Sequence, residues 1–486
     1  MGEDKDFERR EYRRKRRVRN QIISYISVII VLAVIITGAV IGIRILTKNI
    51  SEKKQAEELA AQLEEVSNQE EAVVEPPAEV EEEPVEEVDW LEEMVDSCIE
   101  EMPLEDKVAG LFVITPEALT GVGQAIKAGD GTKDALNQYA VGGLVYFDEN
   151  IKDKEQLTEM LSNTLSMSKY PLFMAVDEEG GSVRRIGGSS IEIPEVGDMA
   201  AVGAAGDTTE AYNTGTVLAA YLSELGFNLD FAPVADVVTD AGNSAIGDRS
   251  FGSDPAAVGD MVSSVVSGLQ DTGVSSCLKH FPGIGSTTED THKGMATTEK
   301  SLDDMKASDF IPFQAGIEAG AHFVMVSHVS APNVIGDNTP ASLSDKMITE
   351  ILRGELGYDG IVITDALNMS AVTEYYTSDQ AAVMALKAGA DMLLMPEDFE
   401  AAYEGVLAAV KDGTIAEERI DESLKRIYRV KYRDRVEQTD DEGNADASVT
   451  DAANTENADA ADTENADVAD TGSEDTATDS GEETAE

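Results

Sequence analysis

In the stretch VSSCLKHFPGIGSTTEDTH, residues 274–292, an apolar run of strand length (Val274 to Leu278) meets a Lys279-His280 pair. A loop hinged by Gly283 and Gly285 follows, and then Asp290-Thr291-His292. A short continuous apolar run bounded by turn residues reads as a strand buried on both faces. Working outward, such runs recur at Val108–Ile114, Val141–Phe147, Pro171–Val176, Leu229–Val234, His322–Val326, Gly360–Thr364 and Asp391–Met395. Helical spacing fills most of the intervals, as in Glu155–Ser166, Glu210–Leu225, Ala256–Gln270, Phe310–Ala319, Ser344–Leu356 and Gln380–Ala388. Alternation of this kind means a parallel sheet covered by helices. With eight runs over roughly 340 residues, the expected fold is α/β, a single (β/α)8 TIM-type barrel. A doubly wound open sheet is the alternative. It wants a glycine-rich phosphate turn after its first strand, where this chain has Thr115-Pro116-Glu117.

The flanks differ in kind from this middle. Residues 1–21 form a basic segment expected to be cytoplasmic. Residues 22–43 carry no charge and are rich in Ile and Val. As a helix they would extend about 33 Å, enough for one transmembrane anchor. Arg44 and Lys48 follow in place of a small-residue cleavage site, so a cleaved signal peptide is the weaker alternative. Residues 44–93 read as an acidic, Pro- and Glu-rich stalk, 94–435 as the folded α/β domain, and 436–486 as a disordered acidic tail. The expected location is therefore the cell membrane, with one pass, the N-terminus inside and the folded domain outside.

Residues 437–486 hold eighteen Asp and Glu and no Lys or Arg, and they contribute heavily to the net charge of −58. Such a segment cannot bury a core, and so strong an anion excludes nucleic acid as a natural partner. Cys98 and Cys277 have no spacing that dictates pairing. No HExxH, cysteine cluster or calcium loop occurs, so neither a metal nor a cofactor is expected.

Catalytic groups in a barrel sit at the carboxyl ends of the strands. Asp177-Glu178-Glu179, Asp236, Lys279-His280, Ser327-His328 and Asp365 stand there. Asp365 reads as a nucleophilic carboxylate at a strand end, with a helix N-cap as the alternative. Asp290 lies two residues from His292, where in a loop it can fix the imidazole tautomer. Lys279 and His280 are candidates to bind ligand hydroxyls, although successive strand residues point to opposite faces. Asp177, Arg185 and Arg249 are equipped to grip vicinal hydroxyls by charge-assisted bonds.

Taken together, DEEGGSVRR (177–185), NLDFAPVADV (228–237), IGDRSFGSDP (246–255), KHFPGIG with DTH (279–292) and ITDALNM (363–369) resemble glycoside hydrolase family 3, in its β-N-acetylhexosaminidase branch. The resemblance implies that Asp365 is the nucleophile and His292 the general acid/base, with Asp290 as its partner. It implies that Asp177, Arg185, Arg249, Lys279 and His280 hold the terminal sugar. Ile284 stands where the family usually has His, Ser182 where arginine is usual, and Thr291 where Ser is commoner. The expected activity is a retaining exo-β-N-acetylglucosaminidase acting on a terminal β-linked amino sugar of cell-wall fragments or other glycans. The alternatives are an N-acetylglucosaminide phosphorylase, a β-glucosidase or xylosidase, and a non-catalytic surface module.

Overall fold

The computed structural model describes residues 89–240, 242–287 and 294–440, with side chains to 433. The expected anchor (22–43), nearly all of the stalk and most of the tail lie outside these residues. Among the described residues, no helix is long and apolar enough to cross a membrane. The first helix, Trp90–Glu100, is capped by Asp89, whose carboxylate accepts from Leu91 N and Glu92 N. The last four residues assigned to the stalk therefore belong to the folded unit. The last helix, Glu417–Asp440, runs past the expected boundary at 436.

Seven of the eight apolar runs contain a shorter strand: β1 (Phe112–Ile114), β2 (Gly143–Tyr146), β3 (Phe173–Val176), β6 (Leu229–Asp230), β8 (Phe323–Val326), β9 (Ile361–Thr364) and β10 (Leu393–Leu394); the run Val274–Leu278 only overlaps its strand, β7 (Cys277–Phe281), which starts and ends three residues later. A small antiparallel ribbon, β4 (Glu178–Gly180) with β5 (Val183–Arg184), follows β3. The helices Lys154–Met167, Thr208–Leu225, Pro255–Asp271, Phe310–Glu318 and Ser378–Ala388 lie where the periodicity puts them. The segment after Ser344 is a π-helix, Lys346–Glu355.

The expectation of one closed eight-stranded barrel is corrected. The parallel strands form a half-barrel sheet of five, in the order β10-β1-β2-β3-β6, and a separate sheet of three, β7-β8-β9. Between the two sheets there are only isolated bridges, Leu229 with Ser275, Val234 with Lys279 and Ile363 with Met392. The ladder of β6 with β3 ends at the pair Val176 and Asp230. Irregular backbone bonds take over, such as Cys277 N to Ala232 O at 2.7 Å.

The core lies between the sheets and their helices. Phe112, Phe231, Phe281, Phe313 and Phe323 are fully buried in it. Opposite the strand carboxyl ends, Asp391 is completely buried and accepts from Arg353 NH2 at 2.6 Å, Ser423 Oγ at 2.8 Å and Val362 N at 2.9 Å. This bonding ties β9, β10 and the last helix together and leaves the other end of the sheets for chemistry.

Candidate active site

One pocket of about 320 Å³ opens at the carboxyl ends of the strands. Its charged half is lined by Asp177, Glu179, Arg185, Arg249, Lys279 and His280, and Asp365 stands in the same cavity. Val145, Phe147, Phe231, Met325, Met369 and Met395 supply its apolar lining. Six of the residues singled out in the sequence, Asp365 and the five hydroxyl-binding candidates, thus converge on one cavity. Asp290 and His292 lie outside the described residues.

Each side chain is placed by its backbone. Asp177 directly follows β3, and its carboxylate accepts from Lys279 Nζ at 2.7 Å. The acidic run 177–179 is then divided by the period-2 alternation of an extended chain. Asp177 and Glu179 face the pocket. Glu178 turns away and accepts from Ile186 N, Gly187 N and Tyr221 OH. The chain reverses at Gly180 and Gly181, both with positive φ. A Cβ on Gly181 would stand 2.3 Å from Asp198 Oδ1, so only glycine fits that turn. The turn returns the chain to Arg185, which lies over the Phe147 ring with 5.3 Å between guanidinium carbon and ring centroid.

Lys279 and His280 lie within β7, not beyond it as the sequence suggests, and both line the pocket. The pairing of β7 with β8 explains how neighbours can share a side. Leu278 pairs with Val324 and Phe281 with Val326, so the register slips by one residue between them. An extra residue in one strand is a bulge, and a bulge re-aims side chains. The Lys279–His280 and Phe281–Pro282 peptides are cis.

Two carboxylates that organise this site escaped the sequence reading of site residues. Glu179 is almost completely buried. It receives Lys279 Nζ at 2.6 Å and a two-pronged grip from Arg249, Nε at 2.8 Å and NH2 at 2.7 Å. Burial by itself would raise its pKa, but Lys279 and Arg249 outweigh it and bring the group down to about 2. The same cluster pushes Lys279 up against the opposing effect of its own burial. Asp236, seen in the sequence only as a strand-end group, is fully buried beneath His280. The signal for Glu179 was present in the alternation of 177–179. The signal for Asp236 was not, because its partners lie 44 and 48 residues away.

Asp365 follows β9, its own N–H donates to Val326 O, and its Oδ1 accepts from Ala366 N at 2.8 Å. His328 supports that turn from behind. Its Nε2 lies 2.9 Å from Ala366 O, which can only accept, so Nε2 carries the proton and Nδ1 accepts from Ser342 Oγ. Ile284 points into the core with 7% exposure, and its carbonyl accepts from Asn243 Nδ2 and Thr287 Oγ1. Cys98 and Cys277 are unpaired thiols. Among the described residues, no group of three or more His, Cys, Asp or Glu is arranged for a metal ion.

A family model described as the glycosyl hydrolase family 3 N terminal domain matches residues 103–430. The chain belongs to glycoside hydrolase family 3. A β-hexosaminidase of Stenotrophomonas maltophilia is 36% identical over 280 residues, which cover 56% of this chain and 82% of that protein. A β-hexosaminidase of Xylella fastidiosa is 37% identical over 242 residues, 49% of this chain and 71% of that protein. Among solved structures, a family 3 β-N-acetylglucosaminidase from Paenibacillus sp. str. FPU-7 matches with a TM-score of 0.65 and 35% identity, over 73% of this chain and 66% of that one. The family 3 assignment makes the chain a glycoside hydrolase.

The loop leaving β7 is fitted closely in this enzyme. A Cβ on Gly285 would lie 2.1 Å from Val237 O. Gly285→Ala should therefore push the loop off its seat and cost about 1–3 kcal/mol. A lowered thermal midpoint together with a raised KM would show this; an unchanged midpoint would refute it.

Proposed function

We propose that the enzyme is a retaining exo-β-N-acetylglucosaminidase that removes one terminal sugar at a time. The convergence of Asp365 with Asp177, Arg185, Arg249, Lys279 and His280 in one pocket carries this proposal. Its volume, about 320 Å³, is near the lower end for ligand sites and suits one sugar unit. The charged half presents donors and acceptors to ring hydroxyls. Arg185 lines the pocket and its guanidinium, which can only donate, reaches toward Asp177 and Asp148. The apolar half matches the carbon face of a sugar and an N-acyl methyl group. The names of the β-hexosaminidase relatives support the amino sugar.

In the proposed reaction, a carboxylate oxygen of Asp365 bonds to the anomeric carbon as the glycosidic C–O bond breaks. The departing oxygen takes a proton from His292, whose ring Asp290 orients. Water then attacks the same carbon and gives a proton to His292. The bond to Asp365 breaks, and the β configuration is retained. Histidine suits this exchange because its unperturbed pKa lies near neutrality. GlcNAc-terminated cell-wall fragments remain the proposed natural substrate class, with work outside the cytoplasm. That location rests on the charge-free run 22–43. Hydrolysis of an impermeant glycoside by intact cells would test it.

A panel of aryl β-glycosides, with and without the 2-acetamido group and with and without phosphate, tests the activity. The expected result is fast cleavage of the N-acetyl-β-glucosaminide with no dependence on phosphate. A preference for the plain glucoside or xyloside, or a rate that requires phosphate, would overturn it.

A further inference from the structure

Taking His280 as a sugar-binding group, as proposed above, we infer that Asp236 is a positioning residue that fixes the His280 proton on Nδ1 and turns Nε2 into a hydrogen-bond acceptor for a sugar hydroxyl. The geometry is specific on both sides of the ring. Asp236 Oδ2 lies 2.7 Å from His280 Nδ1 and also accepts from the backbone N of His280 at 3.2 Å. Asp236 Oδ1 accepts from Ile284 N at 2.7 Å. Both oxygens therefore act as acceptors, the pattern of a carboxylate, and Nδ1 must be the donor between them.

On the other side, Nε2 faces Arg249 NH2 at 3.5 Å. A guanidinium has only donors and is always charged. An Nε2–H pointing at it would set donor against donor, and an imidazolium would add repulsion between like charges. Asp236 therefore holds the proton on Nδ1, and Arg249 leaves Nε2 as the bare nitrogen. Its lone pair lines the pocket beside Lys279 and Arg249, which can only donate. His280 thus contributes an acceptor that Arg249 NH2 reaches only at 3.5 Å, so a closer sugar O–H can donate to it in place of that long contact.

Asp236 does more than orient one ring. Ile284 N is held by the same carboxylate, so one buried group sets both the sugar-binding histidine and the first turn of the segment after β7. Asp236 is fully buried, so it reaches substrate only through His280.

Asp236→Asn keeps the shape but places an amide N–H₂ or a single carbonyl where two acceptors are needed. With Oδ1 still accepting from Ile284 N, the amide nitrogen faces Nδ1, and the ring must move its proton to Nε2. The test uses the full chain labelled with ¹⁵N-histidine, the His280 signals being assigned by their loss in His280→Gln. In the wild type at neutral pH, Nδ1 should be protonated and Nε2 bare, and Asp236→Asn should reverse this. For an aryl N-acetyl-β-glucosaminide, Asp236→Asn should raise KM roughly 5–100-fold, as expected when a sugar O–H is left facing a donor in place of an acceptor. In the His280→Gln background, the same change should move KM by less than about twofold, since coupled residues do not add.

A protonated Nε2 in the wild type, or an additive effect of Asp236→Asn without His280, overturns the inference. The tautomer is read without substrate. It therefore decides the matter even if Asp236→Asn does not fold, and it fails separately from the proposed activity, which falls if the wild type does not cleave the glycoside.

Discussion

Asp365→Ala is expected to lower kcat for an aryl N-acetyl-β-glucosaminide by on the order of 10⁵-fold while the protein stays folded, since removing a nucleophile that works with an acid/base partner costs nearly the whole of covalent catalysis. Asp365 is half-buried at the end of β9, and the turn behind it is held independently by His328 and by the backbone. The alanine variant should therefore unfold within a few degrees of the wild type. Azide gives a second readout, because a small anion can enter the vacated position. Its attack from that face would yield a glycosyl azide of inverted configuration. Turnover by Asp365→Ala near the wild-type rate would remove Asp365 from the mechanism. An N-cap residue, the alternative in the sequence, predicts the opposite pattern, with stability lost and chemistry kept.

Glu179→Gln is expected to cost about 3–5 kcal/mol of stability and to raise KM, because it leaves buried Lys279 and half-buried Arg249 without their shared anion. Lys279 would keep Asp177 at 2.7 Å, whereas Arg249 would keep only Ala245 O at 2.9 Å and the long contact to His280. The pH dependence provides an independent signature. Glu179 has a folded pKa of about 2 against an ordinary value of 4.5. A carboxylate lowered on folding binds fewer protons in the native state than in the unfolded state. Its contribution is therefore complete above pH 4.5 and is lost as the pH falls toward 2. The difference corresponds to about 3 kcal/mol. Denaturant melts of the wild type should show this decline, and Glu179→Gln should flatten it. A variant with wild-type stability and the same acid slope would show that the ion cluster does not hold the site together.

These two residues show how unequally the site could be read from the chain. Asp365 was legible because Ile361-Val362-Ile363-Thr364 is a buried strand by composition and an aspartate immediately beyond it has few structural reasons to be there. Asp177 was legible for the same reason after β3. Arg185 and Arg249 stood out as cations beside glycine turns. Glu179 was passed over within an acidic triplet, although alternation alone separates it from Glu178. Asp236 was seen, but nothing local assigns it a partner. His328, another strand-end residue, braces Ala366 instead of lining the pocket. For Ile284, where the resemblance implied histidine, the fold shows an apolar side chain packed inward and a backbone N–H bound to Asp236.

Helices and strands were determined by the sequence alone, because side-chain period and run length are properties of consecutive residues. The chemistry at strand ends and the family motifs are local in the same sense. The tertiary structure alone decided how the strands divide into a half-barrel sheet of five and a sheet of three, since pairing joins residues far apart in the chain, as in Phe112 of β1 with Leu393 of β10. It also decided that Lys279 and His280 both face the pocket, because the register slip that re-aims them exists only between β7 and β8. Finally, it placed Asp236 under His280. A contact between residues 44 positions apart is set by how strands stack in the sheet, and no period along the chain encodes it.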